Sequence, residues 1–218
     1  PVIESKIMIN SESFKKNQED HQKLIDEIRS LEQKIADNSA RSKEKFDKRG
    51  QLLPRERLKR LLDPGSFWLP LSTLAGYKIG DDDGEKNIGW GNSISGIGYV
   101  EGVRCMVGVS DAGIKGGSAS AMGTEKALRG AQIIFENKLP FIQLIESAGA
   151  NLLRQTDMFI KGGRSFANLS KMSAKGIPTI GVVHGSSTAG GAYQTGLSDY
   201  IIVVKERSKI FLAGPPLL

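Results

Sequence analysis

The sequence predicts an α/β fold with largely parallel strands, and three observations carry that reading. Beyond about residue 93, short apolar, β-rich runs alternate with stretches of helical character. The 26 glycines gather at the ends of those runs, where loops must bring backbone close to something. The composition is that of an ordinary globular chain, with 39% hydrophobic and 25% charged residues over a length of 218, enough to bury a real core.

In chain order, residues 11–37 carry apolar positions at helical spacing: Phe14, His21, Leu24, Ile28, Leu31 and Ile35 step by three, four or seven. Ser11 and Ser13 suit the N-cap, and the amphipathic helix is expected to lie against the body of the protein or a neighbouring subunit. The charges from Arg41 to Arg49 alternate in sign and read as solvated surface. Pro54 opens a short helix to Leu62, which the Asp63-Pro64-Gly65 turn ends. The polar segment Ile79–Gly91 reads as a surface loop; its three adjacent aspartates lack the spaced ligands of a calcium site. Ser93–Val100 and Val103–Val109 read as strands of a hairpin turning at Glu101-Gly102. Further strands are expected at Phe141–Ile145, Thr179–Val183, Ile201–Val204 and Ile210–Leu212. Helices are expected at Met122–Asn137, Gly162–Lys175 and Gly190–Leu197. The chain opens without Met and stops at Gly214-Pro215-Pro216-Leu217-Leu218 with no closing helix, which reads as a trimmed or partial chain.

Composition also bounds the function. No stretch nears the roughly 20 apolar residues of a membrane span, and no signal-peptide pattern opens the chain. The single cysteine, Cys105, lies in an apolar run, so neither a disulfide framework nor a thiolate metal site is expected, and the expected compartment is intracellular and reducing. The net charge of +6 admits anionic partners, nucleic acid or phosphorylated cofactors, but the basic residues are scattered among acids, so no nucleic-acid partner is expected.

Several common signatures fail by one residue. Gly96-Ile97-Gly98 begins a dinucleotide fingerprint, yet the next glycine, Gly102, comes one position late and a strand follows it. Gly108 to Gly113 has P-loop spacing, with Ile114 where the lysine belongs. Gly185-Ser186-Ser187-Thr188-Ala189 lacks the closing glycine of a nucleophile elbow. His21 and His184 have no carboxylates or thiolates spaced to complete a metal site with them.

What remains is bare backbone at strand-to-helix junctions. One junction is Ile145-Glu146-Ser147-Ala148-Gly149-Ala150-Asn151, and the other runs from His184 through Thr188-Ala189-Gly190-Gly191-Ala192-Tyr193. Glycine-rich turns at helix starts leave N–H groups unpaired and aimed outward. Two such turns at neighbouring strand ends could converge on one oxygen and form an oxyanion hole suited to a thioester enolate. Tight helix–strand packing accounts for the small residues equally well. A third loop, Gly113-Ile114-Lys115-Gly116-Gly117-Ser118, suits the phosphates or adenine of a nucleotide-like handle, and a flexible connection is the commoner use of such a segment.

Four segments, in order, then resemble one family. Arg55-Glu56-Arg57-Leu58-Lys59-Arg60-Leu61-Leu62-Asp63-Pro64-Gly65-Ser66-Phe67 is similar to the opening of acyl-CoA carboxyltransferase subunits. Ser147 to Asn151 with Arg154-Gln155 resembles their SGGAN-x-x-RQ loop, and Thr188-Ala189-Gly190-Gly191-Ala192-Tyr193 their TAGGAY turn. Phe211-Leu212-Ala213-Gly214-Pro215-Pro216-Leu217 matches the FLAGPPL segment of the methylcrotonoyl-CoA and geranyl-CoA carboxylase branch. The resemblance is to the N-terminal domain of the carboxyltransferase (beta) subunit of biotin-dependent acyl-CoA carboxylases and covers about residues 48–218.

The resemblance implies a crotonase-like spiral of ββα units over 51–218, preceded by a helical extension over 1–50 and lacking a C-terminal domain. It implies transfer of a carboxyl group from carboxybiotin, carried on a separate biotin carboxylase or biotin carrier subunit, to an acyl-CoA. It assigns the backbone oxyanion hole to Gly190 and Gly191 with Gly149 and Ala150. It gives the coenzyme A thioester to Ala148, Asn151, Lys115, Gly116, Gly117, Ser118, Ala189, Ala192 and Tyr193. No metal and no side-chain nucleophile are implied. The biotin itself is expected elsewhere, since Ala121-Met122 is followed by Gly123 where a lysine would be needed. A homo-oligomer, a hexamer in the family, is expected in a bacterial cytoplasm or a mitochondrial matrix, with no membrane partner. The sequence departs from the family at Glu146 and Ala148 (usually DSGGA), at Leu153 (usually PRQ), and at Gln194-Thr195-Gly196 (usually VPA), which leaves the acyl group open. Three other readings stay open: a decarboxylase of glutaconyl-CoA type, a non-catalytic CoA-binding or assembly module, and a crotonase-type hydratase or hydrolase. The last needs a carboxylate over the pocket, for which Glu146 is the local candidate.

Overall fold

The computed structural model describes residues 2–80, 82–85, 89, 92–150 and 155–214. Helix α1 (Glu12–Ala40) starts where its cap predicts: the Ser11 hydroxyl accepts the Phe14 N–H, and Glu12 sits in the positive first turn. Its apolar stripe is used only near its carboxyl end, where Ile35 packs with Ile114, Leu31 and Tyr77. Leu24, Ile25 and Ile28 stand open, so the helix lies against the body over its last turns alone. The alternating charges expected to be mere surface instead form a short helix, α2 (Lys43–Lys48). The pairs Lys43–Asp47 and Glu44–Lys48 sit at i,i+4, and Phe46 turns inward to 3% exposure. Helix α3 (Pro54–Leu61) has proline in its first turn, and the Glu56 carboxylate accepts the Leu53 N–H.

The sheet runs β1 (Leu69–Pro70), β2 (Ser93–Val100), β3 (Val103–Ser110), β4 (Phe141–Ser147), β5 (Thr179–Thr188) and β6 (Tyr200–Val203), in that spatial order. A final strand, β7 (Lys209–Phe211), pairs with Ser186–Thr188 of β5. The first three strands are antiparallel, and every pairing from β3 onward is parallel. The hairpin turns at Glu101 and Gly102, both at positive φ, the backbone of a turn that follows strand twist. Asp63 accepts both of their N–H groups, at 2.7 and 2.8 Å, so the turn that stops α3 also clasps the hairpin.

The parallel connections pass through α4 (Ala121–Asn137), α5 (Gln155–Ala174) and α6 (Gly190–Gly196). Helix α5 begins earlier than its apolar spacing predicts, because Phe159 and Ile160 in its first turns are almost fully exposed and break the pattern. Strand β5 extends past Val183 to Thr188, since β7 supplies partners for a stretch too polar to read as strand.

Side chains alternate across the strands and feed two cores. On one face Cys105, Val107, Val109, Ile142 and Leu144 pack under Leu58 of α3 and Trp68. On the other, Met106 meets Ala131 and Ile134 of α4 and Leu169 and Met172 of α5. The result is α3, sheet and α4/α5 in three layers, the arrangement a buried parallel sheet requires. Among the described residues, no helix is long and apolar enough to cross a membrane. Ile134 is 1% exposed at the centre of the second core. Ile134→Ala should cost about 2–5 kcal/mol, read as a lower urea midpoint at unchanged m-value.

Candidate active site

Parallel pairing sends the carboxyl ends of β3, β4 and β5 the same way, and each runs into a glycine-rich loop, the crevice where α/β sheets bind ligands. The loops are knitted together. The Ala148 N–H donates to the Gly116 carbonyl at 3.1 Å and the Ala119 N–H to the Gly149 carbonyl at 2.9 Å, with Ala119 bridged in parallel to Ala150. The Gly113–Ser118 loop is therefore a fastened turn rather than a flexible connection. The Asn92 amide closes it from behind on the Ser118 carbonyl at 3.0 Å.

The β4 and β5 turns touch. A Cβ placed on Gly191 would stand 3.1 Å from the Ser147 Cβ and 3.2 Å from the Ser187 hydroxyl, so any side chain there would have to push the two serines aside. Gly149, at φ +96, lies within van der Waals reach of Thr188 and Ala189. Ala189 itself has φ 49 and ψ −109, a conformation that costs a non-glycine residue on the order of 1–3 kcal/mol. Its N–H donates to the Phe211 carbonyl at 2.9 Å, so β7 holds the strained residue in place. The chain enters α6 at once, leaving the N–H groups of Gly190 and Gly191 in a first turn that has no intrahelical acceptors. The Thr195 hydroxyl, paired with Ser187 at 3.1 Å, donates to the Gly191 carbonyl at 3.1 Å and locks that turn onto β5.

The residues singled out from sequence thus divide by position. The N–H groups of Gly190 and Gly191 have no acceptor among the described residues; Gly190 is flanked by the Phe166 ring, whose centroid is 5.4 Å from that of Tyr193. The Gly149 N–H is already taken by the Ser147 hydroxyl at 3.1 Å, so this residue shapes the turn. Ala148 and Ala150 are exposed on the rim, as are Lys115, Gly116 and Tyr193, while Ser118, Ala189 and Ala192 are half-buried. Gly117 is buried, its α-carbon against the carbonyl of Glu146. Asn151, Leu153 and Arg154 lie outside the described residues.

Glu146 does not face this pocket. It points to the opposite side of β4 from Ser147, where its carboxylate meets the Arg57 guanidinium at 2.5 Å with both side chains at most 7% exposed. The carboxylate that a hydratase or hydrolase would need over the pocket is therefore not Glu146. Around the pair sit Gln51, whose amide donates to the His184 carbonyl at 3.1 Å, and the Phe46 ring, 5.6 Å from the guanidinium carbon. His184 is held down to about 4 by burial and by the positive charge of Arg57. On the far side of the Gly113–Ser118 loop, Asp111 is buried and accepts the Ser39 hydroxyl at 2.6 Å; burial raises its pKa. Lys126, pushed down to about 8 by burial and by Arg55, donates to the Ser93 carbonyl. Sequence reasoning missed these roles. Arg57 was visible only as a letter in a motif, and nothing in its spacing points to residue 146.

An α/β sheet whose parallel strands run into glycine-rich loops at their carboxyl ends, one of them opening a helix at Gly190-Gly191, is a scaffold that holds a ligand at the strand ends. Residues 45–218 match the carboxyl transferase domain family, and the chain belongs to it. It is 46% identical over 195 residues to a probable biotin-dependent acyl-coenzyme A carboxylase beta2 subunit of Mycobacterium tuberculosis, covering 89% of this chain and 36% of that protein. It is 42% identical over 221 residues to a probable mitochondrial methylcrotonoyl-CoA carboxylase beta chain of Drosophila melanogaster, covering 100% and 38%. Among solved structures, the beta subunit of P. aeruginosa geranyl-CoA carboxylase superposes with TM-score 0.88 at 53% identity, over 99% of this chain and 40% of that one. The chain thus spans less than two fifths of the length of the M. tuberculosis and D. melanogaster relatives. The fold is the crotonase-like one, with β2, β3 and α4 forming a ββα unit.

This geometry predicts two outcomes. Gly191→Ala should cost about 1–3 kcal/mol by forcing Ser147 and Ser187 aside, read in the urea midpoint. Between pH 6.5 and about 4 the unfolded chain takes up a proton at His184 that the folded chain refuses, so stability should fall as pH falls through that window. The fall should be shallower in His184→Gln, measured by thermal midpoints across the range.

Proposed function

We propose that this chain carries the acyl-CoA half of a carboxyltransferase, moving a carboxyl group from carboxybiotin to a branched or unsaturated acyl-CoA of methylcrotonyl or geranyl type. The observation that carries it is the meeting of the β4 and β5 turns, with Gly190 and Gly191 offering backbone donors and Gly191 packed closely on the Ser147 and Ser187 side chains. A thioester oxygen seated on those two N–H groups gains stabilisation as it becomes an enolate oxyanion, an effect for which one donor is worth about 10²–10³ in rate. The exposed Lys115 at the rim offers its ammonium to the phosphates of the CoA handle. The Gly113–Ser118 loop, fastened through the Gly116 carbonyl to the Ala148 N–H, holds that handle in register with the thioester.

Carboxybiotin, borne by a biotin-carrying partner subunit, supplies the activated carboxyl group and the ureido nitrogen that accepts the substrate proton. The residues present suit such a second reactant. Ala148 and Ala150 are small and exposed, and with Tyr193 they border an open side where a flat ring can approach. On the family resemblance, we assign the groups that hold biotin to the second domain of a neighbouring subunit, within a homo-oligomer, a hexamer in the family. The M. tuberculosis and D. melanogaster relatives are named for the biotin-dependent and methylcrotonoyl-CoA reactions, and the solved neighbour for geranyl-CoA, which supports a branched acyl substrate over a short one. The occurrence of a mitochondrial relative beside bacterial ones fits a soluble enzyme of the cytoplasm or mitochondrial matrix.

The test is carboxyl transfer by the full-length subunit with its biotin-carrying partner, across acetyl-, propionyl-, methylcrotonyl- and geranyl-CoA. Transfer to methylcrotonyl- or geranyl-CoA is expected. Retained CoA binding with no transfer to any of the four would sink the carboxylase reading and leave a CoA-binding module.

A further inference from the structure

All three glycine-rich loops of the pocket converge on one residue that takes no part in it. The backbone carbonyl of Glu146 lies against Gly117 of the first loop. Its peptide leads directly into Ser147 and the second. Its side chain fills the space at Gly185 upstream of the third, where an added Cβ would come within 2.7 Å of the Glu146 Oε1 and 2.8 Å of the Gln51 Nε2. The β4–β5 register breaks here: Ile145 pairs with Val183 but Ser147 with Ser187, so His184, Gly185 and Ser186 bulge opposite Glu146 alone. A bulge bends its strand and re-aims the residues beyond, here the turn from Thr188 to Gly191.

The residue that fastens Glu146 is Arg57, from α3 on the far layer. The pair is buried, and Arg57 Nη2 and the neighbouring Gln51 Oε1 and His184 Nε2 have no hydrogen-bond partner among the described residues. A buried ion pair with incomplete hydrogen bonding is a poor source of stability compared with apolar side chains of equal volume, but it is directional where apolar packing is not. We propose that Arg57 and Glu146 are positioning residues. Their ion pair sets the end of β4 and the β5 bulge so that the Ser147–Ala150 and Gly190–Gly191 turns meet at the separation the thioester oxyanion needs. The purpose assigned to the turns rests on the carboxyltransferase reading above; the placement of the turns does not.

A comparison of Arg57→Met, Glu146→Leu and the double variant, in the full-length subunit with its biotin-carrying partner, separates positioning from mere stabilisation. Each single variant leaves a buried charge unpaired and should melt lower. The double variant should melt near the wild type. Its kcat should stay at least about tenfold down with KM for acyl-CoA within about twofold, as expected when geometry and not binding is lost. Amide exchange over residues 147–150 and 184–191 should run about tenfold faster than in the wild type. Recovery of kcat and of slow exchange together with stability would overturn the proposal. If the double variant does not fold, the near-isosteric Glu146→Gln is read by the same exchange and kcat measurements, and wild-type values in both would overturn it. The exchange readout needs no turnover. A wild type that carboxylates no acyl-CoA therefore condemns the carboxyltransferase reading, while the exchange rates still decide the placement of the turns.

Discussion

Where the ends of β4 and β5 meet, the bare backbone of Gly191 lies so close to the Ser147 and Ser187 side chains that an added methyl group would have to push them aside. That closeness is what lets two unpaired N–H groups stand beside a second turn, and the rest of the molecule serves to maintain it. It needs strands that end together, hence parallel pairing, and helices that start at once, hence the abrupt entry into α6. It also needs a residue in a costly backbone conformation, Ala189, which would relax if β7 did not hold its N–H. The short strand β7, which contributes little to either core, thus holds the turn into α6 more closely than its length suggests.

The two sheet faces divide the labour. One packs against α4 and α5 mainly through apolar side chains, Met106, Ala131, Ile134, Leu169 and Met172 among them. The other begins as apolar packing under α3 at Leu58 and ends, one residue before the pocket loop, in a buried charged cluster. Apolar contacts tolerate sliding, whereas a carboxylate against a guanidinium does not. The layer is thus adaptable where it is remote from the pocket and directional beside it.

Much of this was legible in the sequence because it obeys local rules. The alternation of apolar runs and helices located nearly every element, and the glycine clusters marked both turns and the Lys115 loop. Errors fell where local signals were silent or overridden. Helix α2 was hidden in alternating charges, since its one apolar contact, Phe46, is too little for periodicity to register. The start of α5 was obscured by Phe159 and Ile160, which face solvent although apolar. The polar end of β5 is a strand only because β7 arrives from elsewhere. Within the pocket, the free donors at Gly190 and Gly191 were readable as a turn at a helix start. That the Gly149 N–H is already engaged depends on a rotamer of Ser147, and the role of Glu146 depends on a partner in another layer. Periodicity carries no information about either.

The sequence distances across that cluster have a kinetic meaning. Arg57 and Glu146 are separated by 89 positions, and Gln51 reaches His184 across 133. Contacts so distant along the chain demand that large loops close before any reward is felt, which slows folding and delays such contacts. The cores can condense from neighbouring helices and strands while the pocket is still unformed. During synthesis the guanidinium of Arg57 emerges long before its counter-ion and must wait, solvated, until β4 has been made. The Gly190-Gly191 segment emerges later still, so the meeting of the two turns is among the last features of the described residues to take shape.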